Sequence, residues 1–405
     1  MKNFYRLVAH AALTGCYLTS MAQTQTGNSV DDEKGHHRGY METDLVVNKQ
    51  IGGVPTLLDS NGVTHVAKFF DPNLVNPWGL TASGTSAFWV SEGGAGVATL
   101  YNTAGAPQPL VVSMPSPSNP LGNGATPTGA VFNNVPAALG AFNLSGVSST
   151  GTPVTAPAVF IFATKEGTIL GWNPGVNPIG FDPAKAGKYG IIAVDHSATS
   201  AYTGLAIANG TDGSTHLYAA NFRAGTVDVF DTSFTKVPTP YAFVDPYLPR
   251  GYAPFNVVPV TNQGTTRMFV TYAIQDLNNI FGEGHGIINT FDLDGSQLRR
   301  FAQHGQLNAP WGIVQTPDSF GELGGSLWIG NFGDGRINAY ATQTGQFINK
   351  VRTSEGKAVT IDRLWAIRFG NGGNGGSVDT LYFTAGPNGE QDGLFGSLSP
   401  GPPVN

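Results

Sequence analysis

Three polar residues recur at one place in a repeated pattern. Glu92, Asn221 and Asn331 each close the second strand of a unit, where the other units carry Ala163, Tyr272 and Ala385. Ahead of the first strand of the same three units stand Asp71, His196 and His304. An insertion in the fourth unit adds Gln275, Asp276 and Glu283, and the sixth adds Glu390 and Asp392. Oxygen-bearing side chains gathered on one rim suit a hard cation such as Ca2+, which takes roughly six to eight oxygen ligands. The expected metal set is Glu92, Asn221, Asn331 and Asp71. Beside such an ion, His196 or His304 has the chemistry of a general base toward a carbonyl that the ion polarises. The same residues have a plainer use. Asn and Asp before glycine are ordinary turn residues, and a histidine often only bonds a neighbouring loop. The chain contains no G-x-S-x-G, H-E-x-x-H, P-loop or EF-hand string. The glycine-rich stretches 282–286 and 370–376 open no helix and read as turns.

What must position these residues is a repeat. Residues 307–345 hold three short strands: 307–314, 326–330 and 336–341, the last two joined by a tight turn with Asn331, Gly333, Asp334 and Gly335. Matching triplets occur over 76–101, 127–172, 202–230, 254–291 and 364–396. Their anchors, Gly79, Gly129, Gly204, Asn256, Gly312 and Ala366, are spaced by 50, 75, 52, 56 and 54 residues. Fourth strands show at 109–112 and 347–351. A unit of three or four strands cannot bury its own faces, and a spacing of about 40–50 residues marks a propeller blade. The expected fold is therefore all-β, a six-bladed β-propeller with four-stranded blades over 43–398 and a tail at 399–405. The 75-residue step leaves a seven-bladed ring open. The last unit lacks a fourth strand, so 43–49 is expected to close it from the N-terminus. In a blade the first strand is entered from the face at which the second strand ends, which gives the polar positions one common rim. Residues 133–157, rich in Ala, Gly, Ser and Thr, read as a surface loop on the opposite face. All six tryptophans fall in repeat strands, as space-fillers between blades would.

Only 12% of residues are charged, with 55 glycines, and the net charge is −6 without a basic cluster. That composition suits a turn-rich exported β-protein and argues against a nucleic-acid partner. Lys2 and Arg6, the apolar run after them and Ser20-Met21-Ala22 predict a secretory signal at 1–22, followed by a disordered linker at 23–42 in which His36 and His37 are solvated. A secreted or periplasmic location follows. Leu13-Thr14-Gly15-Cys16 is the alternative, a lipobox anchoring the chain through Cys16. No later segment is apolar for long enough to span a membrane as a helix.

The strings LVNPWGL, YTGLAIANG, LYAANF, YAPFNV, IGNFGDGRINAY, LWAIRFGNG and LYFTAGPNGEQDGLFG resemble a family of uncharacterised, secreted, propeller-like proteins over about 43–398. More loosely the chain is similar to NHL-repeat propellers and to calcium-dependent lactonases of the gluconolactonase and paraoxonase kind. The first resemblance implies fold and export. Two functions follow: a binding or scaffold protein for a small molecule, glycan or protein ligand, or a Ca2+-dependent hydrolase of lactones or related esters.

Overall fold

Residues 39–210, 213–238, 243–276 and 280–402 are described by the computed structural model. The signal at 1–22 with Cys16, the stretch 23–38 and residues 403–405 lie outside the described residues.

Six sheets repeat one plan. The first runs Pro77–Thr81, Phe88–Glu92, Val97–Tyr101, Val112–Ser113, each strand antiparallel to the last. The innermost strands of the next four are Pro127–Phe132, Tyr202–Asn209, Tyr252–Asn262 and Pro310–Gln315. The sixth sheet starts at Leu364–Phe369 and adds Leu381–Ala385 and Leu394–Pro400. Each inner strand contacts the inner strand of the following sheet, and Leu364–Phe369 contacts Pro77–Thr81. The protein is all-β and propeller-like; among the described residues the α-helical content is one turn, Pro387–Glu390.

The anchors explain this spacing. A Cβ on Gly129 would sit 2.3 Å from the Leu205 amide nitrogen, and one on Gly79 2.3 Å from the Thr128 carbonyl. Backbones approach so closely there that a side chain is excluded. Every one of the six inner pairings also shifts register at its anchor, which bends the strand and increases its twist. Polar side chains then stitch neighbouring sheets: Thr128 Oγ1 donates to Tyr202 O at 2.8 Å, Asn256 Nδ2 to Trp311 O at 2.9 Å and Thr384 Oγ1 to Trp78 O at 2.7 Å.

Two boundaries differ from expectation. The N-terminal strand is Tyr40–Val47, beginning inside the stretch read as linker, and it pairs antiparallel with Leu394–Pro400 from Tyr40↔Pro400 to Val47↔Leu394. Its polar residues hide a buried anchor: Tyr40 is 1% exposed, lies 4.9 Å edge-on to Trp328, donates to Phe320 O and accepts from the Leu323 amide, both at 3.0 Å. The tail begins later than 399, because the last strand continues through Pro400. Phe69–Phe70 pairs parallel on the outer side of Tyr40–Val47, and a small sheet of Gln50–Ile51, Val54–Leu58 and Thr64–Val66 lies between them in sequence. Residues 133–157 are not a plain loop. They form a hairpin, Asn143–Val147 with Pro153–Pro157, which seats Phe142 and Leu144 in a core with Ile161, Ile169 and Tyr202.

Candidate functional site

The second-strand ends share one local design. In the first sheet Glu92 is fully buried; its Oε1 accepts from Thr99 at 2.6 Å, while Oε2 has no partner. Tyr101 OH donates to Asp71 Oδ2 at 3.0 Å and lies 3.5 Å from Glu92 Oε1. Burial, reinforced by the Asp71 charge, pushes the Glu92 carboxyl well above the usual range. In the third sheet Asn221 Nδ2 donates to Asp228 Oδ2 at 3.0 Å and to Ser200 Oγ at 2.9 Å. Tyr202 OH also donates to Asp228, and His196 Nδ1 meets that hydroxyl at 2.9 Å. Burial alone would raise the Asp228 carboxyl. The hydrogen bonds from Lys236 and Asn221 outweigh it, and the group sits below its ordinary value. In the fifth sheet Asn331 Nδ2 donates to Gln306 O at 2.8 Å and Asp334 Oδ1 at 3.0 Å. In the first and third sheets the second-strand end thus bonds a third-strand residue seven positions later, Thr99 or Asp228; in the fifth, Asn331 and Asn338 both donate to Gln306 O. Sequence equivalence identified the first member and missed the second.

The structure therefore joins Asp71 with Glu92 through Tyr101 and His196 with Asn221 through Tyr202 and Asp228, each set within one repeat unit. His304 bonds Gly284 O at 3.1 Å from an exposed position. The axis near the first-strand entries is filled by rings: Trp78 stacks on Trp365 at 3.5 Å, Phe332 stacks on Trp365 at 3.9 Å, and Trp311 meets both indoles edge-on. Arg363 lies 3.9 Å from the Phe281 ring centre and Lys165 5.7 Å from that of Trp78. Glu390 reaches this plug through Asn76, whose side chain accepts from Trp365 Nε1 at 2.9 Å. Asp392 fastens Asn48 and Lys49 beside the N-terminal strand. The groups that meet around these rings are aromatic faces and the cations Arg363 and Lys165. Three tryptophans fill the axis, where the sequence suggested filling between blades.

Two cavities of about 490 Å³ each accompany the plug. One is a rim cleft with Lys165, Glu166, Ser200 and Arg223. The other is axial and is lined by all six inner strands beyond Trp311, toward their C-terminal ends, the side from which the 133–157 hairpin departs. Its one charged lining residue is Arg368. Nη1 reaches Thr81 Oγ1 at 3.5 Å and Nη2 reaches Ala82 O at 3.4 Å, while Nε is buried without a partner. No carboxylate among the described residues pairs with this guanidinium, and burial pulls its pKa down. A third cluster, Glu42, Asp44 and His65, joins the N-terminal strand to the small sheet.

No protein-family profile matches the chain. Among solved structures it is similar to the soluble aldose sugar dehydrogenase of Escherichia coli (13% identity, TM-score 0.48, 81% of this chain and 97% of that one) and to a streptogramin B lyase (13%, 0.42, 89% and 97%). It is 30% identical over 346 residues to the uncharacterised protein R648 of Acanthamoeba polyphaga mimivirus, covering 83% of this chain and 77% of that one. It is 32% identical over 344 residues to the uncharacterised protein L690 of the same virus, covering 82% of each. By this likeness across most of both sequences, the chain belongs to the same family as R648 and L690.

Proposed function

We propose that this chain is an exported six-bladed β-propeller, kin to the secreted propeller proteins it resembles, closed by Tyr40–Val47 and binding a small carboxylate in its axial cavity. The observation that carries the reading is Arg368. A half-buried guanidinium on the wall of a mostly apolar cavity, with one nitrogen buried and unpartnered and no carboxylate beside it among the described residues, carries a desolvation cost that an incoming anion offsets. In a cavity of this size a planar carboxylate meets the fork in two parallel hydrogen bonds, while Val131, Val258, Ile313 and Ile367 pack the apolar remainder. Such a site, mostly apolar with one placed charge, is how small-molecule pockets are ordinarily built.

The rival reading, a calcium-dependent lactone or ester hydrolase with His196 or His304 as base, draws no support from contacts at the rim. His196 is tied to Tyr202 and His304 to Gly284, in separate units. The test is calorimetric titration with benzoate against benzamide, repeated on Arg368→Gln. Benzoate binding at least tenfold tighter than benzamide, lost in the variant while its thermal midpoint holds, supports the proposal. Equal binding of acid and amide, or an undiminished variant, overturns it.

A further inference from the structure

The cluster at the N-terminal strand has the parts of a metal site that the repeat does not explain. Alternation along Tyr40–Val47 puts Glu42 and Asp44 on one face, and Thr64–Val66 brings His65 against them. One ligand atom from each of the three lies within 4.8 Å of the others. His65 is 4% exposed, and its Nδ1 stands 3.3 Å from both carboxylate oxygens of Asp44. Ligand atoms sharing a tetrahedral ion at about 2.1 Å stand roughly 3.4 Å apart.

A second observation comes from the far side of the ring. Asp59 is 4% exposed, and its Oδ1 is fixed by the amides of Asn61 and Val63 at 3.0 and 2.7 Å. That leaves Oδ2 aimed at His65 Nε2, 3.5 Å away. Both atoms are buried without a hydrogen-bond partner. With a cation held between His65 and the two carboxylates, a buried carboxylate facing Nε2 would keep the proton on that nitrogen and leave the Nδ1 lone pair to the ion. This is the outer-shell arrangement of metal-bound histidines.

We propose that Glu42, Asp44 and His65 bind one divalent cation of the zinc type, with Asp59 orienting the imidazole. One nitrogen with two carboxylates favours zinc over calcium, which prefers an all-oxygen shell. The exposed Glu42 leaves an entry path and room for water as the fourth ligand. The ion would tie the N-terminal strand to the small sheet, so its binding stabilises the fold.

The full chain, stripped with EDTA and dialysed, is titrated with ZnCl2 and separately with CaCl2, following heat and thermal midpoint. One equivalent of zinc with a raised midpoint is expected, and calcium at least tenfold weaker. Glu42→Gln, at an exposed position and so able to fold, should weaken zinc at least tenfold. Asp59→Asn should weaken it roughly 10- to 100-fold while keeping one equivalent. Absence of zinc uptake by the parent chain, calcium binding as tightly as zinc, or Glu42→Gln binding like the parent overturns the assignment. A midpoint that falls in Asp44→Asn yet ignores zinc in every protein also overturns it, marking His65 as a charged bridge between carboxylates.

Discussion

Replacing Tyr40 tests whether the N-terminal strand closes the fold. Its ring is 1% exposed, packs 5.4 Å from Phe320 and 4.9 Å from Trp328, and its hydroxyl serves both the Phe320 carbonyl and the Leu323 amide. Tyr40→Phe keeps the packing and strands those two buried backbone groups, which costs about 1–3 kcal/mol. Tyr40→Ala removes the ring as well, and truncating a buried aromatic costs about 3–5 kcal/mol more. Met41, next along the strand and 46% exposed, is the control; Met41→Ala should stay within about 0.5 kcal/mol. Urea unfolding with unchanged slope reads these differences directly. For a domain of this length each kcal/mol moves the thermal midpoint by on the order of 1 °C, so the chemical midpoint is the better assay. If Tyr40→Phe and Met41→Ala unfold alike, the strand does not hold the fold together and the argument for closure fails.

Glu92 gives a pH prediction. Its folded pKa is raised above 4.5, so the folded state holds the proton more tightly, and this stabilisation is complete below the unfolded value and lost as pH rises through the folded one. The advantage of the parent over Glu92→Gln in urea should therefore shrink from pH 5 to pH 9; a constant or growing advantage contradicts a raised Glu92 pKa. Arg368→Met removes a desolvated cation that lacks a carboxylate, so without ligand its unfolding midpoint should equal or exceed the parent's; a loss above about 2 kcal/mol would mean the guanidinium is a structural fastening. Gly129→Ala forces a Cβ to within 2.3 Å of the Leu205 nitrogen, and overpacking of this kind costs about 1–3 kcal/mol or more. Gly84→Ala, with nothing within 4 Å, should be silent, and equal effects of the two substitutions would refute close inner-strand packing.

The repeat was legible because its cause is local: a small residue at the anchor, an aromatic or proline just before it and a tight turn after the second strand. What pairs over long range was legible only where the composition agreed. Tyr40, Met41 and Glu42 read as linker because they continue a polar, charged stretch, yet their partners are Pro400, Ser399 and Leu398 at the other end of the chain. The hairpin within 133–157 was hidden in the same way. Its composition is that of a loop, and two residues, Phe142 and Leu144, supply its fully buried contacts. His65 and Asp59 lie between the N-terminal strand and the first unit, outside any repeat, so no equivalence pointed to them.

Equivalence is also why the site was only half legible. Glu92, Asn221 and Asn331 stood out as polar residues at matching positions, but matching positions in a repeat most often do matching structural work: Glu92 and Asn221 bond third-strand partners seven residues on, and Asn331 fastens Gln306 and Asp334. The stronger signal is a break in the pattern. Two residues beyond the anchors stand Thr81, Val131, Ala206, Val258, Val314 and Arg368, all lining the axial cavity. Five are small or apolar and uncharged, as packing around an axis requires, and the sixth is a cation that packing does not explain. Propeller symmetry brings that one departure to the axis opposite its five counterparts. A charge at such a place carries a desolvation cost that an anion meeting the guanidinium would offset. The proposed anion site therefore rests on the residue that breaks the repeat rather than on those that keep it.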